Sequence, residues 1–177
     1  CRKVERTPEV PEVHMDFMFM GEEKSDKTLA ILVAKERTTK AVMACVAPRK
    51  SSGEWLAKKV MAFMREFGCE LEKMTMKTDS EPTLEAVVDR AGRLRAAKGG
   101  KRDGGGTLSN THSSESNGVI EKGIQYIVGQ TRVILSALED RWKVQLPYDH
   151  PVMCFIVEYA AFLLNRFEVG HDGGDLF

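Results

Sequence analysis

No apolar run in this sequence approaches the ~20 residues that a membrane-spanning helix needs. No secretory leader is evident either, so no membrane partner is expected. Net charge is also missing: Lys+Arg and Asp+Glu both number 26, and any surface that attracts nucleic acid must be local. The four cysteines, Cys1, Cys45, Cys69 and Cys154, form no C-x-x-C pair and have no histidine at metal-ligand spacing. That pattern predicts a reducing compartment, no disulfide frame and no complete zinc site. Internal repeats are absent. The sequence opens at Cys1 rather than methionine and stops at Phe177, and the expectation is a segment of a longer polypeptide.

The composition that remains is that of a soluble globular domain, with 42% apolar and 29% charged residues. At 177 residues the chain is long enough to bury one real core. Residues 1–11, with Pro8 and Pro11, read as a linker, 12–168 as the domain and 169–177 as a truncated tail.

The stretch Val13-His14-Met15-Asp16-Phe17-Met18-Phe19-Met20 is apolar on both faces, as in a strand at the centre of a sheet. Asp16 lies inside it, where an unpaired carboxylate costs several kcal/mol or more, so a cation, a metal or open solvent must stand beside it. Two further strands, 28–34 and 40–47, make an antiparallel meander. A helix over 54–67 follows, with Leu56, Val60, Phe63 and Phe67 on one stripe and Gly68 at its end. A strand over 71–78 then delivers Asp79, and Ser80 is a good N-cap for a helix over 81–97. Residues 98–118 read as loop, with a weakly signalled strand at 106–110. The clearest helix spans 119–141, where Ile120, Ile124, Ile127, Thr131, Ile134 and Leu138 share one face. The last helix spans 150–167. A crossover helix between the third and fourth strands places the Asp79 strand parallel to, and beside, the Asp16 strand. The class is α/β, a mixed sheet flanked by helices. The methionines of 15–20, 61–64 and 74–76 read as core filler.

Three carboxylates therefore converge: Asp16, Asp79 and Glu121, the last in the first turn of the long helix. Taken singly, Asp79 suits a helix start and Glu121 suits the positive end of a helix dipole. Taken together they repel one another, and an oxygen-only cluster suits Mg²⁺ or Mn²⁺. Two such ions ~3.5–4 Å apart clamp the attacking and leaving oxygens of a phosphodiester.

Val13-His14-Met15-Asp16, then Met76-Lys77-Thr78-Asp79-Ser80, then Asn117-Gly118-Val119-Ile120-Glu121 behind a Ser/Thr-rich loop together resemble the catalytic core of retroviral and LTR-retrotransposon integrases. The most specific piece is the Asn-Gly pair ahead of Glu121. The resemblance spans about residues 12–168 and implies a ribonuclease-H-like fold with a five-stranded mixed sheet. It assigns Asp16, Asp79 and Glu121 as the catalytic and metal-binding triad, with Mg²⁺ or Mn²⁺ as cofactor. It further implies DNA strand transfer, element ends and target DNA as partners, a homo-oligomer, and a nuclear location or a cytoplasmic virus-like particle. The sequence departs from the family where Asp79 is followed by Ser-Glu-Pro, and where Asp79 and Glu121 are spaced unusually far apart, so that residues 98–106 read as an insertion. The family's N-terminal zinc domain is not present in these residues. A ribonuclease-H-like nuclease, or a decayed or domesticated domain that only binds DNA or protein, are the competing expectations.

Two features bear on DNA. From Arg90 to Arg102 there are basic residues (among them Arg93, Arg95, Lys98 and Arg102) and no acid, which suits either a solvated helix end or a phosphate-contacting patch. Gln125 and Arg132 share the helix face of Glu121, Arg132 ~16 Å further along, which suits either a DNA groove or an ordinary solvated helix face.

Overall fold

A computed structural model describes residues 10–21, 28–47, 53–70, 73–79, 81–99 and 114–167. The strands are β1 (Glu12–Met20), β2 (Leu29–Glu36), β3 (Val42–Val46) and β4 (Thr75–Thr78); the helices are α1 (Gly53–Glu66), α2 (Pro82–Ala97), α3 (Ser114–Trp142) and α4 (Val152–Phe167). The strand order is β3-β2-β1-β4, so the strand carrying Asp16 lies between two others, as its doubly apolar sequence requires. β1 runs antiparallel to β2, from Val13↔Glu36 to Met20↔Leu29, and parallel to β4, from Glu12↔Thr75 to Met15↔Thr78.

Alternation along β1 sorts its side chains between two helical layers. Val13, Met15 and Phe17 join Leu56, Val60 and Phe63 of α1 and Leu84, Val87 and Ala91 of α2 in one core. Met18 and Met20, with Ile31 and Val33 of β2, meet Ile120 and Ile127 of α3 and Val157 and Ala161 of α4 in the other. His14 and Asp16 share the parity of Met18 and so face α3. Truncating a fully buried residue such as Leu32 or Ile127 to Ala should cost about 2–5 kcal/mol.

Gly68 ends α1 as expected: its φ is +75°, and Cys69 N–H donates to the Met64 carbonyl at 2.9 Å. The edge of β3 is closed by α4, because the buried Asn165 amide accepts from Val42 N–H and donates to the Val42 carbonyl, both at 2.8 Å. A paired edge does not template aggregation.

Three expectations shift. β4 begins at Thr75, with Lys73 and Met74 described outside any strand. α3 begins at Ser114, five residues before Val119, because its polar first turn carries no apolar period to announce it. The N-cap of α2 is Glu81, which makes no side-chain cap bond, with Pro82 opening the helix; Ser80 lies outside the described residues. The sheet has four strands among the described residues, and the weak strand expected at 106–110 falls outside them.

Candidate active site

The parallel ladder of β1 and β4 ends at Met15↔Thr78, so Asp16 and Asp79 follow on the next rung of adjacent strands. Asp16 is half-buried on the α3 side of the sheet, whereas Asp79 and Glu121 are exposed. Asp16 Oδ1 accepts from the N–H of Phe17 at 2.7 Å. Burial pushes the Asp16 carboxyl above its ordinary value; the Phe17 N–H opposes this, and the negative charges of Asp79, Glu81 and Glu121 push it further up. The carboxylates thus stand near enough to repel. Among the described residues, no three His, Cys, Asp or Glu side chains are gathered as a ready metal cage. The donors are all carboxylate oxygens, the chemistry a hard divalent cation takes.

Glu81 was not foreseen as part of this group. Its N–H donates to the Asp79 carbonyl at 2.7 Å, which folds the chain back at the mouth of α2. The signal available was its position two residues after Asp79, immediately before a helix-opening proline.

The other end of β1 carries opposite chemistry. One carboxylate oxygen of Glu12, Oε2, is approached by Lys77 Nζ at 3.0 Å, Arg37 Nη1 at 3.2 Å and His14 Nε2 at 3.4 Å. Burial pushes the Glu12 carboxyl up, but hydrogen bonds and charge from Lys77 and Arg37 outweigh it and hold the group below its usual value. His14, almost fully buried, is held below its ordinary value by burial first and then by the Lys77 charge.

The residues expected to touch DNA are differently placed. Gln125 and Arg132 are exposed on α3, in line with Glu121. Arg93 is exposed and pairs with Asp89 at 2.8 Å. Lys98 reaches Glu70 at 2.6 Å and, with Arg65, whose hydrogen bond is the larger effect, holds that carboxyl down to about 2. Arg95 is buried, with Nε donating to the Glu70 carbonyl at 2.9 Å. Exposed ion pairs contribute little, so Arg93 and Lys98 can exchange their partners for phosphate, while Arg95 is committed to the fold. Arg102 lies outside the described residues.

A central mixed sheet between two helical layers is the ribonuclease-H-like architecture of solved integrase catalytic cores. The fold is similar to the magnesium-bound catalytic core of HTLV-2 integrase (trimeric form), with TM-score 0.58 and 14% identity over 93% of this chain and 92% of that one. It is similar to the BIV integrase catalytic core, with TM-score 0.55 and 18% identity over 93% and 90%. A chain of a simian T-cell lymphotropic virus intasome matches with TM-score 0.61 and 14% identity over 97% of this chain and 55% of that one. No family model and no curated protein matches the sequence.

Proposed function

We propose that this chain is the catalytic core of a retroelement integrase, a divalent-metal-dependent polynucleotidyl transferase acting on DNA. The observation that carries the reading is the placement of Asp16 and Asp79 on the next rung of the adjacent parallel strands β1 and β4, where the charges of Asp79 and Glu121 reach the Asp16 carboxyl. In an integrase-core fold, such a cluster is stabilised by a cation and is under strain without one. Asp16, Asp79 and Glu121 would hold Mg²⁺ or Mn²⁺. When bound, the metal supplies Lewis acidity to the phosphate and makes a hydroxyl or water nucleophilic near neutral pH. Asp16, rigid in a central strand, fixes the position of the site; Asp79 and Glu121, at a strand exit and on a helix, complete it from the solvent side. Gln125 and Arg132 extend along α3 from Glu121 and would contact the DNA backbone, with Arg93 and Lys98 adding charge from α2.

A homo-oligomer fits the same reading. On α4, Phe155, Tyr159 and Phe162 are exposed and stacked, with ring centroids 5.5 and 6.0 Å apart, and the exposed Trp55 of α1 adds to the exposed aromatic surface. Such a face suits burial against a second copy; the HTLV-2 integrase core also occurs in a dimeric form. Sedimentation of Phe162→Glu beside the parent chain checks this, and an unchanged distribution rejects the α4 face.

The enzymatic test uses a pre-branched DNA substrate, which already holds hydroxyl and phosphodiester together and so asks least of the protein's DNA grip. Residues 1–177 should reseal it weakly with Mn²⁺, without 3′-end processing or full integration, and Glu121→Gln should not. Equal background from both would leave a domain that only binds.

A further inference from the structure

Of the described glycines, Gly123 of α3, two residues after Glu121, is the one set tightly against a neighbouring side chain. A Cβ built at Gly123 would stand 3.1 Å from Lys35 Cδ and 3.5 Å from Lys35 Cβ, while Gly53, Gly68, Gly92, Gly99, Gly118 and Gly129 would meet nothing within 4 Å. Lys35 cannot easily yield. It is 5% exposed, sits on β2 opposite His14, and carries its Nζ 5.0 Å from the centroid of the Tyr126 ring on α3. Lys122 Nζ stands 5.5 Å from the same centroid, so the ring is bound from two cations. A lysine stem thus lies in the slot that the missing side chain leaves. Glycine inside a helix is unfavourable relative to alanine; here the close approach explains it.

From this seat we infer that Gly123 and Lys35 are positioning residues for Glu121. Resting on the integrase reading above, the contact sets how far the first turns of α3 stand off β2, and so how far Glu121 must reach toward Asp16 on the neighbouring strand. Both act through the helix that carries Glu121.

The test is a double-mutant cycle of Gly123→Ala, Lys35→Ala and their combination, read as Mn²⁺-dependent resealing of branched DNA against metal concentration. Gly123→Ala should lower the rate by roughly 2–10-fold, since the added methyl crowds Lys35 by a few tenths of an ångström, short of the ~1 Å displacement that costs ~100-fold, and should raise the Mn²⁺ concentration needed for half-maximal rate. Its melting temperature should not fall in step, because alanine favours helix. Lys35→Ala frees the slot, and the double variant should recover most of the loss because the added methyl enters the vacated space. Wild-type rate and metal dependence in Gly123→Ala, or losses that simply multiply in the double variant, would overturn the inference while leaving the integrase reading intact. A parent chain without metal-dependent resealing would remove both.

Discussion

Two carboxylates on one strand, Glu12 and Asp16, lie four residues apart and live in opposite surroundings. Glu12 is partnered by Lys77 of β4, by Arg37 just past the end of β2 and by His14 of its own strand. Asp16 feels the negative charges of Asp79, Glu81 and Glu121, and accepts a hydrogen bond from the adjacent N–H of Phe17. Burial alone does not distinguish them, since it pushes both carboxyls upward. Charge does. Glu12 is compensated by neighbouring cations, whereas the charges that reach Asp16 are negative, the surroundings expected of a carboxylate that takes a cation.

The largest way to break this contrast is through chemistry. Asp16→Asn, Asp79→Asn or Glu121→Gln should each reduce Mn²⁺-dependent resealing of branched DNA by ~10³-fold or more, the scale of several kcal/mol of lost charge stabilisation. Glu12→Gln should leave the metal requirement in place. Retained activity in any of the three triad variants would remove that residue from the site.

Stability should reverse the ranking. Glu12→Gln strands Lys77 and Arg37 and should lower unfolding free energy by about 1.5–3 kcal/mol, the range for hydrogen bonds to charged groups. The folded-state value of Glu12 is depressed, so its contribution is present above the ordinary 4.5 and fades as pH falls through the folded value. Denaturant midpoints measured from pH 6 down to pH 3 should therefore converge for parent and Glu12→Gln. Asp16 has the opposite sign. Its folded value is raised above 3.8, so its charge costs stability above that folded value, and the cost is relieved as pH falls through it. Without metal, Asp16→Asn should raise the melting temperature by ~2–4 °C, about 1 kcal/mol for a chain of this length. A loss of several degrees would make Asp16 a structural residue.

The smallest effect concerns DNA. Neutralising Arg93, Lys98 and Arg132 together should weaken binding to any sequence and flatten the slope of log affinity against log salt by about one unit for each phosphate no longer neutralised. An unchanged slope would return these residues to the solvated surface.

Much of the fold and of the candidate site was legible because it rests on local pattern. The doubly apolar run around Asp16, the crossover helix and the Asn-Gly pair before Glu121 together pointed to a central strand, a parallel neighbour and an integrase-like core. What escaped reading depends on interactions between distant segments. Glu12 sits at the margin of the linker in sequence, and only the register of β1 with β2 and β4 makes it the hub of a cluster. The fit of Gly123 over Lys35 has no local signal. Arg95 was readable in part: it falls on the stripe of Leu84, Val88 and Ala91, the buried side of α2, from which its guanidinium donates to the Glu70 carbonyl.

The integrase reading has a divalent cation complete the cluster around Asp16. Its most direct test is the melting temperature of residues 1–177 titrated with MnCl₂ and MgCl₂, beside Asp16→Asn and Glu12→Gln. We expect a saturable rise for the parent chain, RT ln(1 + [L]/Kd) in free energy. The rise should persist in Glu12→Gln from a lower starting point and vanish in Asp16→Asn. A parent chain indifferent to both metals, or an Asp16→Asn variant that rises as the parent does, would contradict the claim.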